Sequence, residues 1–297
     1  MENRTAANMI NAFMKSSGEK SFRRDLQRID FSKIPDDIVQ HKDAAYISDG
    51  MREHMLDVYY RDDNAEKPVL IDIHGGGFIS HDKEINRLFG THMAEKGFLV
   101  FNVNYRLAYP DYNVFDQVCD INDAVGWIID HLTQYGGDKE RMYIAGHSSG
   151  GVLAAAECLL CQSDKMLQDF QIDARDYCYR GLILDCGLME FYRKSIAYWG
   201  MRRMVFSGDY QNDCRYQDLI FEHNPELNKL PPTVVITNNR DQLKAMSYYF
   251  NNLLCEKDVS NLLIDRGKAG HMGILFQPDT EESLSIMDEM MVFLRAV

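Results

Sequence analysis

Gly146-His-Ser-Ser-Gly150 sets a serine between two glycines, directly after the strand-like run Arg141–Ala145 and before a helix-period stretch that begins near Ser149. A strand that turns into a helix within so few residues strains the backbone at Ser148, and glycine two positions to either side leaves room for it. The Ser148 hydroxyl is then pushed clear of the strand ends. The new helix aims its first N–H groups at any anion that forms there. A hydroxyl presented in this way is suited to attack on a carbonyl carbon.

Upstream, a second apolar run ends in His74-Gly75-Gly76-Gly77-Phe78. Three glycines in a row cost backbone entropy and contribute no side chain to a core, so an ordinary turn has little use for them. Their value would be close approach of backbone N–H groups to a substrate oxygen. Gly76 and Gly77, with the N–H of Ser149, are therefore the candidate oxyanion hole. His74 is expected to organise the loop rather than to react.

A serine hydroxyl needs a base, and the base needs an acid to orient it. After such a turn the two follow in the order acid, then histidine, at the ends of later strands. Asp241 follows the run Thr233–Thr237, and His271 follows Asn261–Asp265 with glycines close by on both sides. His223 is the other histidine after the serine, in a stretch of different character. Rivals to Asp241 as the acid are Asp185, Glu190 and Asp265; the last lies too near His271 in sequence to be favoured.

These residues need a scaffold, and the hydrophobic pattern describes one. Met55–Tyr60 alternates and reads as a half-exposed strand. Pro68–His74, Phe98–Tyr105, Arg141–Ala145, Gly181–Asp185, Thr233–Thr237 and Asn261–Asp265 read as buried strands. Val114–Tyr135, Ser149–Cys161, Gln242–Leu254 and Glu281–Leu294 carry apolar residues at spacings of three and four. Strand and helix in alternation predict an α/β fold with a mostly parallel sheet and helices on both faces. The catalytic core is expected over 46–186 and 230–297. Residues 1–45 read as helical, and residues 187–229 are a long insertion holding Met189, Phe191, Tyr192, Tyr198, Trp199, Met201, Met204 and Phe206. Together these two segments are expected to form a helical cap, because long insertions in compact domains usually serve function.

The remaining chemistry classes find little support. The 297 residues carry 32 Lys and Arg against 45 Asp and Glu, a net charge of −13 that disfavours nucleic acid and anionic membranes as partners. Seven scattered cysteines and an N-terminus without an apolar leader point to free thiols and a soluble, cytoplasmic protein. Cys158 and Cys161 form a CxxC inside an apolar helix, which reads as packing. No apolar run is long enough for a membrane span. The nine histidines show no metal-ligand spacing, and no phosphate-cradling glycine motif occurs, so neither metal nor cofactor is expected.

HGGGF (His74–Phe78), NYRLAYP (Asn104–Pro110), GHSSGG (Gly146–Gly151), RDQL (Arg240–Leu243) and GHMG (Gly270–Gly273), in this order over about residues 55–297, resemble the hormone-sensitive-lipase-like, or bacterial type IV, branch of the α/β-hydrolases. The resemblance implies an α/β-hydrolase fold and a carboxylesterase acting on short- to medium-chain acyl esters without a cofactor. It carries the nucleophile onto Ser148, the acid onto Asp241, the base onto His271 and the oxyanion donors onto Gly76, Gly77 and Ser149. It also implies a cap built from the N-terminal segment and the 187–229 insertion. The chain departs from the pattern in having Ser149 where alanine is usual after the nucleophile. Gln242 and Ala245 stand where the acid motif usually has proline and a second acid, and Tyr109-Pro110 replaces the usual proline and glutamate.

The same machinery serves amide hydrolysis, so an amidase such as an arylformamidase is an alternative reading. A non-catalytic ligand receptor, as in the gibberellin receptors that resemble this branch, is a further one, disfavoured by the retained His271. The expected partner is a small-molecule ester, with a homodimer through an exposed sheet edge possible.

Overall fold

The computed structural model describes residues 16–63, 65–191, 196–206 and 208–296. Eight strands form one sheet: β1 (Ile38–Ala45), β2 (Met55–Arg61), β3 (Lys67–Ile73), β4 (Leu99–Val103), β5 (Gly137–His147), β6 (Gly181–Asp185), β7 (Thr233–Thr237) and β8 (Asn261–Asp265). Their spatial order is β1-β2-β4-β3-β5-β6-β7-β8. β2 runs antiparallel to both β1 and β4, and every pairing from β4 through β8 is parallel.

The helices are α1 (residues 16–26), α2 (Arg87–Glu95), α3 (Val114–Tyr135), α4 (Ser149–Leu160), α5 (Asp164–Phe170), α6 (Ile196–Val205), α7 (Cys214–Asp218), α8 (Lys244–Glu256), α9 (Gly273–Phe276) and α10 (Glu281–Ala296). Parallel strands leave both faces of the sheet needing cover. Val69, Ile71 and Ile73 point to a cluster with Val118 and Ile121 of α3, Leu153 of α4 and Phe250 of α8. Leu70 and Val100 point to the opposite cluster, with Phe89 of α2 and Met287 and Met290 of α10. The mostly parallel α/β sheet read from the alternation is the one observed, in the α/β-hydrolase arrangement that the resemblance implied. α3 begins at a capping box, Asn113 with Asp116, and ends at Gly136 in a left-handed conformation.

The segment before residue 46 differs from its helical reading. Ile38–Ala45 is an edge strand of the sheet, so of the described residues in this segment only 16–37 lie outside it. Its polar run Gln40-His41-Lys42-Asp43 hides the alternation, because an edge strand shows one face to water and is bulged between His41 and Ala44. With β1 beside it, β2 is buried from Leu56 to Tyr59 rather than half-exposed.

Between β6 and β7 the insertion forms α6 and α7. Phe191 meets Phe78 with ring centroids 5.6 Å apart and Phe206 at 4.9 Å, and Phe206 meets Tyr216 at 4.9 Å. These aromatics belong to the same apolar cluster as α3 and α4. Tyr192 and residues 1–15 lie outside the described residues. Cys158 is fully buried in α4, and burial pushes both its thiol and that of Cys161 up, as packing residues require. All seven cysteines are free.

Candidate active site

β5 delivers Ser148 at its carboxyl end with φ +53° and ψ −117°, a conformation few non-glycine residues adopt. Neighbouring backbone over-determines it. The Ser148 N–H donates to the Asp185 carbonyl at 3.0 Å, and the Leu188 N–H donates to the Ser148 carbonyl at 2.9 Å. The flanking glycines are needed for space: a Cβ on Gly146 would lie 2.3 Å from the Gly150 carbonyl oxygen, and one on Gly150 2.4 Å from that of Ile73.

Three distant side chains meet above the strand ends. Ser148 Oγ lies 3.0 Å from His271 Nε2, and His271 Nδ1 lies 2.8 Å from Asp241 Oδ1. With Nδ1–H donating to the carboxylate, Nε2 is left to accept the serine proton. Asp241 is itself held, by the Thr237 hydroxyl donating to Oδ2 at 2.8 Å and the Leu243 N–H donating to Oδ1 at 2.9 Å. Burial pushes the Asp241 carboxyl up, but hydrogen bonds from His271, Leu243 and Thr237 outweigh it and hold it below the usual carboxylate range. The loop bearing His271 is tied to the loop bearing Asp241 by Asn238, whose amide donates to the Gly270 carbonyl at 2.8 Å.

Two of the rival acids, Asp185 and Asp265, are engaged elsewhere. Asp185 receives His147 at 2.9 Å. Asp265 receives Lys244 and Tyr248, each at 2.6 Å. His74 is fully buried with its ring stacked on Tyr105, centroids 4.2 Å apart, and its Nδ1–H donates to the Gly75 carbonyl at 2.7 Å. Burial pushes its pKa down to about 3, so it remains a neutral strut. Arg106 of the NYRLAYP segment forks onto Asp120 of α3, which pins that segment beside the glycine loop.

Gly75 is in close contact with Ser148, since a Cβ there would lie 3.1 Å from the Ser148 Cβ. Gly76 and Gly77 both have positive φ, +121° and +62°. Among the described residues no acceptor takes the amide protons of Gly76, Gly77 or Ser149. Unpaired amides on a tight glycine turn and at a helix start form an anion-binding nest.

The departure at Ser149 has a structural use: its hydroxyl accepts the Phe78 N–H at 3.2 Å, joining the glycine loop to the start of α4. Ser149→Ala leaves that buried N–H without an acceptor. The expected result is a loss of about 1–2 kcal/mol in urea unfolding, with the serine's own chemistry retained.

Two features escaped the sequence reading. Cys186, next after the β6 strand, accepts the Met272 N–H at 3.3 Å, and its sulfur sits within 4.8 Å of the facing atoms of Asp241 and His271. Burial, with the charges of Asp185 and Asp241 added, pushes its thiol well up, so it is a protonated filler between the acid and base loops. Its donors are already committed to one another, which argues against a metal centre there. The other is His147, wholly buried between Asp72 and Asp185.

The BD-FAE family matches residues 56–191, the stretch from β2 through the glycine loop and elbow to the start of the insertion. A probable isoprenylcysteine alpha-carbonyl methylesterase of Oryza sativa subsp. japonica is 35% identical over 105 residues, 35% of this chain and 24% of that protein. A probable carboxylic ester hydrolase of Mycobacterium tuberculosis is 30% identical over 144 residues, 47% of this chain and 33% of that one. The chain thus spans a third or less of these curated relatives. An arylesterase of Saccharolobus solfataricus is 26% identical over 74% of this chain and 72% of its own. Esterase B of Lactobacillus Rhamnosis superposes with a TM-score of 0.87 over 100% of this chain and 96% of its own, at 23% identity, a likeness of fold. The elbow, the glycine loop and the sheet order agree with these matches, and the fold is that of the α/β-hydrolases.

Proposed function

We propose that the chain is a serine carboxylesterase that hydrolyses small esters through an acyl-enzyme on Ser148. The observation that carries this reading is the unbroken line from Ser148 Oγ through His271 to the Asp241 carboxylate, beside three unpaired amides. His271 takes the Ser148 proton as Oγ bonds to the ester carbonyl carbon. The carbonyl oxygen becomes an oxyanion and is met by the N–H groups of Gly76, Gly77 and Ser149. Asp241 holds the imidazole in the useful tautomer and stabilises it as imidazolium. When the tetrahedral intermediate collapses, the carbon–oxygen bond to the alcohol breaks and His271 protonates the leaving oxygen. Water, deprotonated by His271, then attacks the acyl carbon, and Ser148 leaves with its proton restored.

The cap is part of the same proposal: α1 reaches the end of the glycine loop through Asp25 and His81, and the insertion reaches it through Phe191 and Phe78. A cavity of about 450 Å³ lies on the α1 side, lined by Phe22, Ile79, His81, Leu107 and Tyr109 among others and by no described residue of the insertion. Its lining does not include Ser148. Names among the relatives, methylesterase and arylesterase, describe the alcohol side of an ester and agree with ester hydrolysis.

The test is a p-nitrophenyl ester series from acetate to decanoate, with matched anilides and fluorophosphonate labelling. Expected are labelling at Ser148, turnover falling beyond medium acyl chains, and far slower anilide cleavage. Equal rates on esters and anilides would instead favour an amidase. Absence of both labelling and turnover would favour a ligand-binding role. Among the described residues no helix is long and apolar enough to cross a membrane.

A further inference from the structure

The loop bearing Gly76 and Gly77 is fastened to α1 by a line of hydrogen bonds that the reaction above leaves unused. The Ser80 hydroxyl donates to the Gly76 carbonyl at 2.8 Å. Ser80 Oγ also lies 2.7 Å from His81 Nδ1, and His81 Nε2 lies 3.0 Å from Asp25 Oδ2 on α1. A hydroxyl has one proton, so once it is given to Gly76 the Nδ1–H must be the donor to Ser80 Oγ; the Asp25 carboxylate can only accept, so Nε2–H donates to it, and the line in full is that of an imidazolium held between Ser80 and Asp25.

All three side chains are buried, which a surface turn would not require. Phe22, one turn before Asp25 on α1, meets the His81 ring edge-on at 5.5 Å, so the helix grips the imidazole by both charge and contact. His81 holds φ +77°, an uncommon conformation outside glycine. Gly76 is pressed against this group: a Cβ there would lie 2.0 Å from the Ser80 carbonyl oxygen and 2.8 Å from His81 Nδ1.

The Gly76 carbonyl, which also accepts the Ile79 N–H at the longer distance of 3.3 Å, and the Gly77 N–H belong to one peptide unit. A donor on the carbonyl fixes the plane of that unit and polarises it, which strengthens the N–H on its other side. We propose that Asp25, His81 and Ser80 are positioning residues that orient and polarise the Gly76–Gly77 peptide for oxyanion binding. The inference rests on the esterase reading. It makes α1, which lies outside the sheet, a contributor to the rate of the chemical step.

A full loss of one oxyanion donor costs about 10²–10³ in kcat, and weakening one costs less. Ser80→Ala is therefore expected to lower kcat on p-nitrophenyl butyrate by about tenfold while KM changes by less than about twofold. Affinity for an aryl trifluoromethyl ketone, whose adduct presents an oxyanion, should fall by the same factor. Asp25→Ala should do likewise to a smaller degree. The double variant should be no worse than Ser80→Ala alone, since both act along one line. Asp25→Asn keeps an acceptor for His81 and should recover part of the loss. A second readout needs no turnover: the Gly77 amide proton, followed by NMR in ¹⁵N-glycine-labelled protein, should shift in Ser80→Ala.

Unchanged kcat together with an unmoved Gly77 resonance in Ser80→Ala would overturn the inference. So would fluorophosphonate labelling of Ser80 in a Ser148→Ala background, which would make Ser80 a nucleophile. If the native protein neither hydrolyses esters nor labels, the esterase reading falls, and the Gly77 resonance still decides whether the Ser80 hydroxyl acts on that peptide.

Discussion

Ser148→Ala is expected to lower kcat for p-nitrophenyl acetate by about 10⁵–10⁶-fold, while the melting temperature stays close to that of the native protein. The size follows from the proposed place of the hydroxyl as the atom that bonds to substrate. Without it, His271 has no proton to take and no acyl-enzyme forms. The fold is spared because what holds the elbow is backbone: Ser148 N–H to the Asp185 carbonyl and Leu188 N–H to the Ser148 carbonyl survive the change. Alanine at φ +53° carries the same strain as serine and relieves none of it. His271→Ala should cost about as much, and the double variant little more, because nucleophile and base act as one unit. Asp241→Asn should cost about 10⁴-fold, since an amide facing Nδ1 stabilises the wrong tautomer. Retained activity in Ser148→Ala would sink the nucleophile assignment.

Much of this arrangement was legible before any coordinates, for identifiable reasons. Strands β3 to β8 are apolar runs flanked by helical periods, because parallel strands covered on both faces must be apolar throughout. Ser148 stood out because a strand-to-helix turn this tight admits few residues besides glycine at positions 146 and 150. His271 and Asp241 followed from chain order at strand ends. What stayed hidden depends on register and edges. β1 was masked by its solvent-facing polar residues. His147 finds its partners because the sheet pairs it with Asp185 on β6 and places Asp72 of β3 opposite Ala145. Nothing local in the sequence announces contacts 38 and 75 residues away. The Asp25–His81 contact, 56 residues apart, was hidden for the same reason, since it needs α1 docked on the glycine loop.

The histidine beneath the nucleophile should make the stability of the whole fold depend on pH. His147 Nδ1 lies 2.9 Å from Asp185 Oδ2 and Nε2 2.9 Å from Asp72 Oδ1, with Phe89 edge-on at 5.1 Å and no solvent exposure. Burial alone would favour the neutral ring. The charges and hydrogen bonds of the two carboxylates outweigh it and hold the pKa up at about 9. Because the folded value lies above the unfolded one, near 6.5, the imidazolium's contribution is fully present below about pH 6.5 and is lost as pH rises through about 9. A shift of that size corresponds to about 3 kcal/mol at most. Urea unfolding of the native protein should therefore show stability falling between pH 6.5 and 9.5. His147→Gln, which keeps a donor and loses the titration, should start lower and stay flatter over the same range. Replacement by leucine should be worse than either at neutral pH, since it strands two buried carboxylates, a change worth about 3–5 kcal/mol. The decisive quantity is the difference between native and His147→Gln curves, because titrations elsewhere in the chain are common to both. If that difference is constant from pH 6.5 to 9.5, the ring is not the buried cation that ties β3, β5 and β6 together under Ser148.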